Sequence, residues 1–221
     1  MVAATSMVRI IHTVYGPPSA SSLEGGGSAG IDSTTVQAVI DKDAKDWTLD
    51  EQEVVAEDIA AKGEASPAYA KATAAMDSGT TWSVILTNGK TIEYRIIGIN
   101  HDDLTDGTGK VGLTFEATND AFGSQCMNAA STNVGGWKKS DLRNRLNSGD
   151  LWALLPVEIQ SKAKAVTKMT DNKGGGDGAG TPSSTTDKVF LVSMNEVYGD
   201  CFPVEGTQYE YYKSKVLQIK Y

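Results

Sequence analysis

The 221-residue chain carries 28 Asp and Glu against 20 Lys and Arg, a net charge of −8. That balance argues against nucleic acid, whose phosphates need clustered cations, and against anionic membranes. Hydrophobic residues at 40% and aromatics at 7% supply one modest core, and 23 glycines point to a loop-rich domain. The length suits one domain with an N-terminal extension, or two small units.

No apolar run reaches the ~18 residues of a transmembrane helix, so no membrane insertion is expected. The first residues show no signal-peptide pattern, which leaves a cytoplasmic chain or a particle component assembled there. Cys126 and Cys201 have no metal-type spacing and read as two separate thiols.

Residues 1–46 read as a flexible extension, with a short strand over 7–15 and a linker over 19–30 around Gly25, Gly26 and Gly27. Those glycines lack the Lys-Ser/Thr of a phosphate loop. Residues 47–79 read as a helical hairpin. Thr48 and Glu51 form a capping box for a first helix ending at Gly63, and Pro67 opens a second that ends by Gly79. Asn88-Gly89 between two β-rich runs predicts a type I′ hairpin. On its second strand Ile92, Tyr94 and Ile96 face inward, while Ile97 implies cover on both faces near Gly98.

His101, Asp102, Asp103 and Asp106 raise the prospect of a calcium loop, but Leu104 and Leu113 stand where oxygen ligands are needed. A solvated turn capped by aspartates is the expectation, with His101 as a hydrogen-bonded structural residue and no metal or cofactor. A strand is expected over 111–117. Further on, Gly135 and Gly136 lead to Trp137 as a buried anchor. Ser140 then caps a short helix with Leu142 and Leu146 on one face, stopped by a left-handed Gly149.

Trp152 belongs to the densest apolar cluster, with Leu151, Leu154 and Leu155. Pro156 is expected to open a helix with Ile159, Ala163 and Val166 inward and Lys162 and Lys164 outward. Residues 171–186 read as an exposed loop. Val189, Phe190, Leu191 and Val192 read as a central strand buried on both faces, Ser193 or Asn195 as the cap of a helical turn, and 205–215 as a helix.

Taken together, Tyr94 through Leu104, Gly112 through Phe115, Asn133 through Trp137, Ser140 through Asn147, Asp187 through Ser193 with Glu196, and Glu205 through Glu210 resemble the DUF6273 family of bacterial and phage domains of unknown function. The resemblance spans roughly residues 80–215. It implies an α+β domain over 80–221, similar to C-type lectins: a small mixed sheet with two core helices. The family's closing strands do not match the tail 216–221, so the domain is expected to be incomplete at its C-terminus, with an exposed sheet edge open to self-association.

The resemblance implies a non-enzymatic binding or structural module of a bacterial surface or phage particle, with a protein or glycan ligand. The loops 102–109 and 174–184 are the expected contact regions. The competing expectations are a metal-dependent enzyme or calcium domain using His101, Asp102, Asp103 and Asp106, and a truncated, silent product. No Ser/His/Asp set can be assembled from His12 and His101.

Overall fold

The computed structural model describes residues 10–14, 32–174, 180–199 and 205–215. The expected linker over 19–30, Cys201 and the tail 216–221 lie outside the described residues. Of the stretch 1–46 read as an extension, the described residues form a strand and a helix. β1 (Ile10–Val14) joins the sheet, and α1 (Ser33–Ile40) starts at Asp32, whose carboxylate accepts from Thr34 N. Val36 and Val39 lie three apart on one face of α1 and are buried. The Trp47 indole donates to Val39 O at 3.0 Å and stacks on Trp82, ring centroids 6.3 Å apart. Trp82 in turn donates to Ala44 O at 2.9 Å. Two tryptophans thus pin this segment to the sheet.

α2 (Leu49–Lys62) forms its capping box as the Thr48 and Glu51 pattern requires, and ends at Gly63. α3 (Tyr69–Ser78) begins after Pro67 rather than at it, because Ser66 Oγ accepts from Ala68 N in a turn that also donates to buried Asp58. α2 and α3 are the two helices expected over 47–79, and α1 lies alongside α2 before them.

β2 (Thr81–Ile85), β3 (Thr91–Ile99), β4 (Leu113–Ala117) and β7 (Val189–Leu191) complete a sheet ordered β2-β3-β4-β1-β7. Every pairing is antiparallel, where a mixed sheet was expected. The β2–β3 turn is not type I′, since Asn88 has no positive φ. Gly89 N donates to Leu86 O and Leu86 N to Lys90 O, a three-residue loop with Gly89 at φ 82°. Asn88 is spared the left-handed region, and its Oδ1 accepts from Lys90 N.

One face of the sheet presents Trp82, Tyr94 and Phe115, and the Tyr94 hydroxyl reaches Gln52 of α2. The other face carries Arg95 and Glu116, paired across strands and covered by Tyr211 and Tyr212 of α8 (Glu210–Lys215). Ile97 sits at a register shift between Ile96 and Gly98 and is fully buried, in line with cover on both faces there. Tyr209 lies flat against Gly98, where an added Cβ would come within 2.8 Å of its ring.

The second half departs further from expectation. α4 (Gly136–Lys139) and α5 (Asp141–Asn147) follow the glycine turn, but Gly149 is not left-handed. It is required by close approach, because a Cβ would sit 2.8 Å from Arg145 Cα. α6 (Val157–Lys162) stops before Val166, which starts β5 (Val166–Asp171). Lys162 is not outward: its ammonium pairs with Asp50 and Glu53.

The expected loop over 171–186 contains β6 (Pro182–Asp187), paired antiparallel with β5. Its Thr185 and Asp187 are buried on alternate positions, a period of two written in polar residues. β7 ends the sheet instead of lying at its centre. Asn147 occupies the place of a strand neighbour there: Nδ2 donates to Val189 O at 2.8 Å and Oδ1 accepts from Lys188 N at 2.7 Å. α7 (Met194–Tyr198) is capped by Ser193 with Glu196 in a second capping box.

α2 approaches the sheet at Gly112, where an added Cβ would lie 1.8 Å from Ala56 O. Gly112→Ala must therefore push helix and strand apart. We expect a loss of about 2 kcal/mol, the usual range for overpacking, read by urea unfolding; an unchanged midpoint would mean that the contact is not close-packed.

Candidate functional site

The three aspartates nominated as metal ligands do not converge. Asp103 is exposed and pairs with Lys110 at 2.8 Å. Asp106 is exposed and accepts from Thr108 N and Oγ1, the expected turn cap. Asp102 is not in a solvated turn but buried. Among the described residues no group of three His, Cys, Asp or Glu side chains is placed to hold a metal ion.

Asp102 points instead at Lys168 of β5, whose Nζ donates to Asp102 Oδ1 at 2.8 Å and to Glu196 Oε1 of α7. Lys168 Nζ also donates to Tyr209 OH at 3.0 Å, and that hydroxyl donates to Asp102 at 2.9 Å. Thr114 Oγ1 donates to Asp102 Oδ2 at 2.7 Å. The Phe190 ring lies 4.2 Å from the ammonium. Burial by itself would lower the Lys168 pKa, but Asp102 and Glu196 outweigh it and push it up to about 12. Burial likewise raises Asp102, and Lys168 and His101 pull it below the usual carboxylate value. Burial and the two carboxylates drive the Tyr209 phenol well above 10.0.

His101 flanks this cluster as a hydrogen-bonded, stacked residue. Its Nδ1 is 3.2 Å from Glu210 Oε1, its Nε2 3.2 Å from Thr207 Oγ1, and its ring stacks on Tyr209 at 4.2 Å. The Glu210 carboxyl is pushed up by burial and down by the His101 contact, which prevails.

The expected anchors form a second cluster. Trp137 is buried and donates to Asp187 Oδ2 at 2.9 Å, while Arg143 Nε donates to Asp187 Oδ1 at 2.6 Å. Ser140 accepts from Arg143 N, and Leu142, Leu146 and Phe190 are buried. Trp152 is only half-buried, with Lys188 5.0 Å above its ring. Cys126 is exposed and free.

A concavity of about 410 Å³ opens where the α2 N-terminus meets the β2–β3 hairpin. Trp47, Trp82 and Tyr94 floor it, and Lys45, Asp46, Ser83 and Glu93 are among its polar walls. Its lining includes no histidine and no cysteine.

One family profile, the Domain of unknown function (DUF6273), matches residues 109–221, just over half of the 221. The chain belongs to this family. Comparison with curated proteins and with solved structures returned no match. The DUF6273 segment supplies Lys168, Glu196, Tyr209, Trp137, Arg143 and Asp187, whereas the lining of the concavity lies wholly before it. Sequence reasoning missed Lys168 because 166 was placed on a helix. The signal was the alternation of Val166 and Lys168 with exposed Thr167 and Met169.

Two substitutions test these clusters. Asp187→Ala leaves Arg143 and Trp137 without their shared acceptor and should cost about 3 kcal/mol in urea unfolding; a loss below about 1 kcal/mol, the size of one ordinary hydrogen bond, would show that the cluster is not a cross-link. Glu210 has a folded pKa below 4.5, so its stabilisation is present above that value and fades as pH falls through the lowered one. Between about pH 5 and pH 2, wild type should lose more stability than Glu210→Gln. Parallel acid profiles would refute the pairing with His101.

Proposed function

We propose that this DUF6273 chain is a non-enzymatic binding or structural module of a bacterial surface or a phage particle, taking a protein or glycan ligand. The observation that carries the reading is where its reactive side chains are spent. Lys168, Asp102, Glu196 and Tyr209 are sealed from water and bonded to one another, and Asp187 is likewise buried and held by Trp137 and the half-buried Arg143. The open concavity offers hydroxyls, carboxylates, an ammonium and an aromatic floor, which suit recognition more than bond-breaking.

The metal-dependent reading finds no support in the separate partners of Asp102, Asp103 and Asp106. The lectin-like comparison remains part of this proposal, supported by the order hairpin, helices, late strand. For self-association the edge to watch is β2, which has a strand neighbour on one side only among the described strands.

Binding to glycan and peptide arrays, run beside a Ser83→Trp variant that fills the concavity, tests the reading. The expected outcome is a ligand bound by wild type and lost in the folded variant, with no calcium-induced shift in melting. Turnover of ester, glycoside or phosphate substrates, or a calcium shift abolished by Asp106→Ala, would overturn it.

A further inference from the structure

We propose that Lys168 and Asp102 condense into an intramolecular amide bond, with Glu196 carrying the proton. The three side chains come from separate segments: Asp102 follows β3, Lys168 lies in β5 and Glu196 in α7. All three are buried, at 5%, 5% and 2% exposure. Lys168 Nζ is 2.8 Å from Asp102 Oδ1, so the carboxyl carbon it must attack is the next atom along.

The roles follow from the hydrogen bonds. Asp102 receives Thr114 Oγ1 at 2.7 Å and Tyr209 OH at 2.9 Å. Two hydroxyl donors on one carboxyl polarise its carbonyl and hold the negative charge that gathers on oxygen during attack. Among the described residues Glu196 Oε1 meets the ammonium and no hydroxyl donor, while Oε2 is held by Ser193 N in the capping box. It is the proton carrier and Asp102 is the acyl group.

The step balances within the site. Glu196 relays one proton from the Lys168 ammonium to the Asp102 carboxylate, and the neutral amine attacks Cγ of the resulting carboxylic acid, forming the C–N bond. Glu196 then takes a second proton from the nitrogen and gives it to the departing hydroxyl, so the C–O bond breaks and water leaves. One hydrogen stays on the amide nitrogen, Glu196 returns to carboxylate, and no oxidant or reductant is involved. The Phe190 and Tyr209 rings beside the nitrogen, at 4.2 and 5.2 Å, exclude the bulk water that would favour the reverse hydrolysis. The product would join positions 66 residues apart.

Intact-mass measurement on the purified chain, denatured just before analysis, tests the proposal. The expected mass is about 18 Da below that of the sequence, the loss of one water, and protease mapping should return the Asp102 peptide joined to the Lys168 peptide. Glu196→Gln, shown folded by its circular dichroism, should regain the full mass, as should Lys168→Arg. The wild-type chain, folded yet at full mass, overturns the proposal without reliance on any variant. So does a water loss confined to a single peptide, as a succinimide at Asp106-Gly107 would give. A Lys168–Glu196 linkage would overturn the assigned roles.

Discussion

A lysine ammonium moved out of water carries a penalty of several kcal/mol unless opposite charge and hydrogen bonds replace its hydration. Lys168 has both, and its partners arrive from three different places: the segment after β3, α7, and the entry to α8, with Thr114 at the start of β4 holding Asp102 in turn. None of these contacts is local in sequence. The site can be satisfied only when the β5–β6 hairpin is docked against the large sheet and both late helices are seated. Glu196 works twice, closing the cap of α7 and facing Lys168, so the helix cannot shift along its axis without disturbing the charge.

The same side of the sheet holds a second charge, Arg95 against Glu116, under Tyr211 and Tyr212. The opposite side is almost wholly aromatic and aliphatic, with Trp82, Tyr94 and Phe115 packed edge to face beneath α2. Helix α2 can lie close because Gly112 has no side chain, and Tyr209 because Gly98 has none. The apolar face supplies cohesion, while the polar face fixes which elements meet. The exposed concavity lies at the rim of the aromatic side, floored by Trp47, Trp82 and Tyr94, and is built from residues that precede the DUF6273 segment.

Local chemistry carried most of what could be read in advance. The Thr48 and Ser140 caps, the alternation of Ile92, Tyr94 and Ile96, and Trp137 as a buried anchor all depend on neighbours within a few residues. The failures share a cause, which is long-range pairing. β6 is Pro-Ser-Ser-Thr-Thr-Asp and carries no hydrophobic signal; only β5 opposite makes it a strand. Val189, Phe190 and Leu191 look like a central strand, yet they lie at an edge because α5 covers them. Asp102 sits in the same loop as Asp103 and Asp106, and only Lys168, 66 residues on, separates its fate from theirs. No spacing rule reaches that far.

The amide of Asn147 against β7 has a consequence for assembly. It fills the donor and acceptor positions that a further strand would need at Val189 and Lys188, so that end of the sheet is stoppered. Within the five-stranded sheet, strand-to-strand contact between copies is then confined to β2, one sticky end per sheet among the described strands. Two such ends meeting antiparallel satisfy each other through a twofold axis and leave nothing to recruit a third copy. A single asparagine thereby separates a chain that could pair from one that could polymerise.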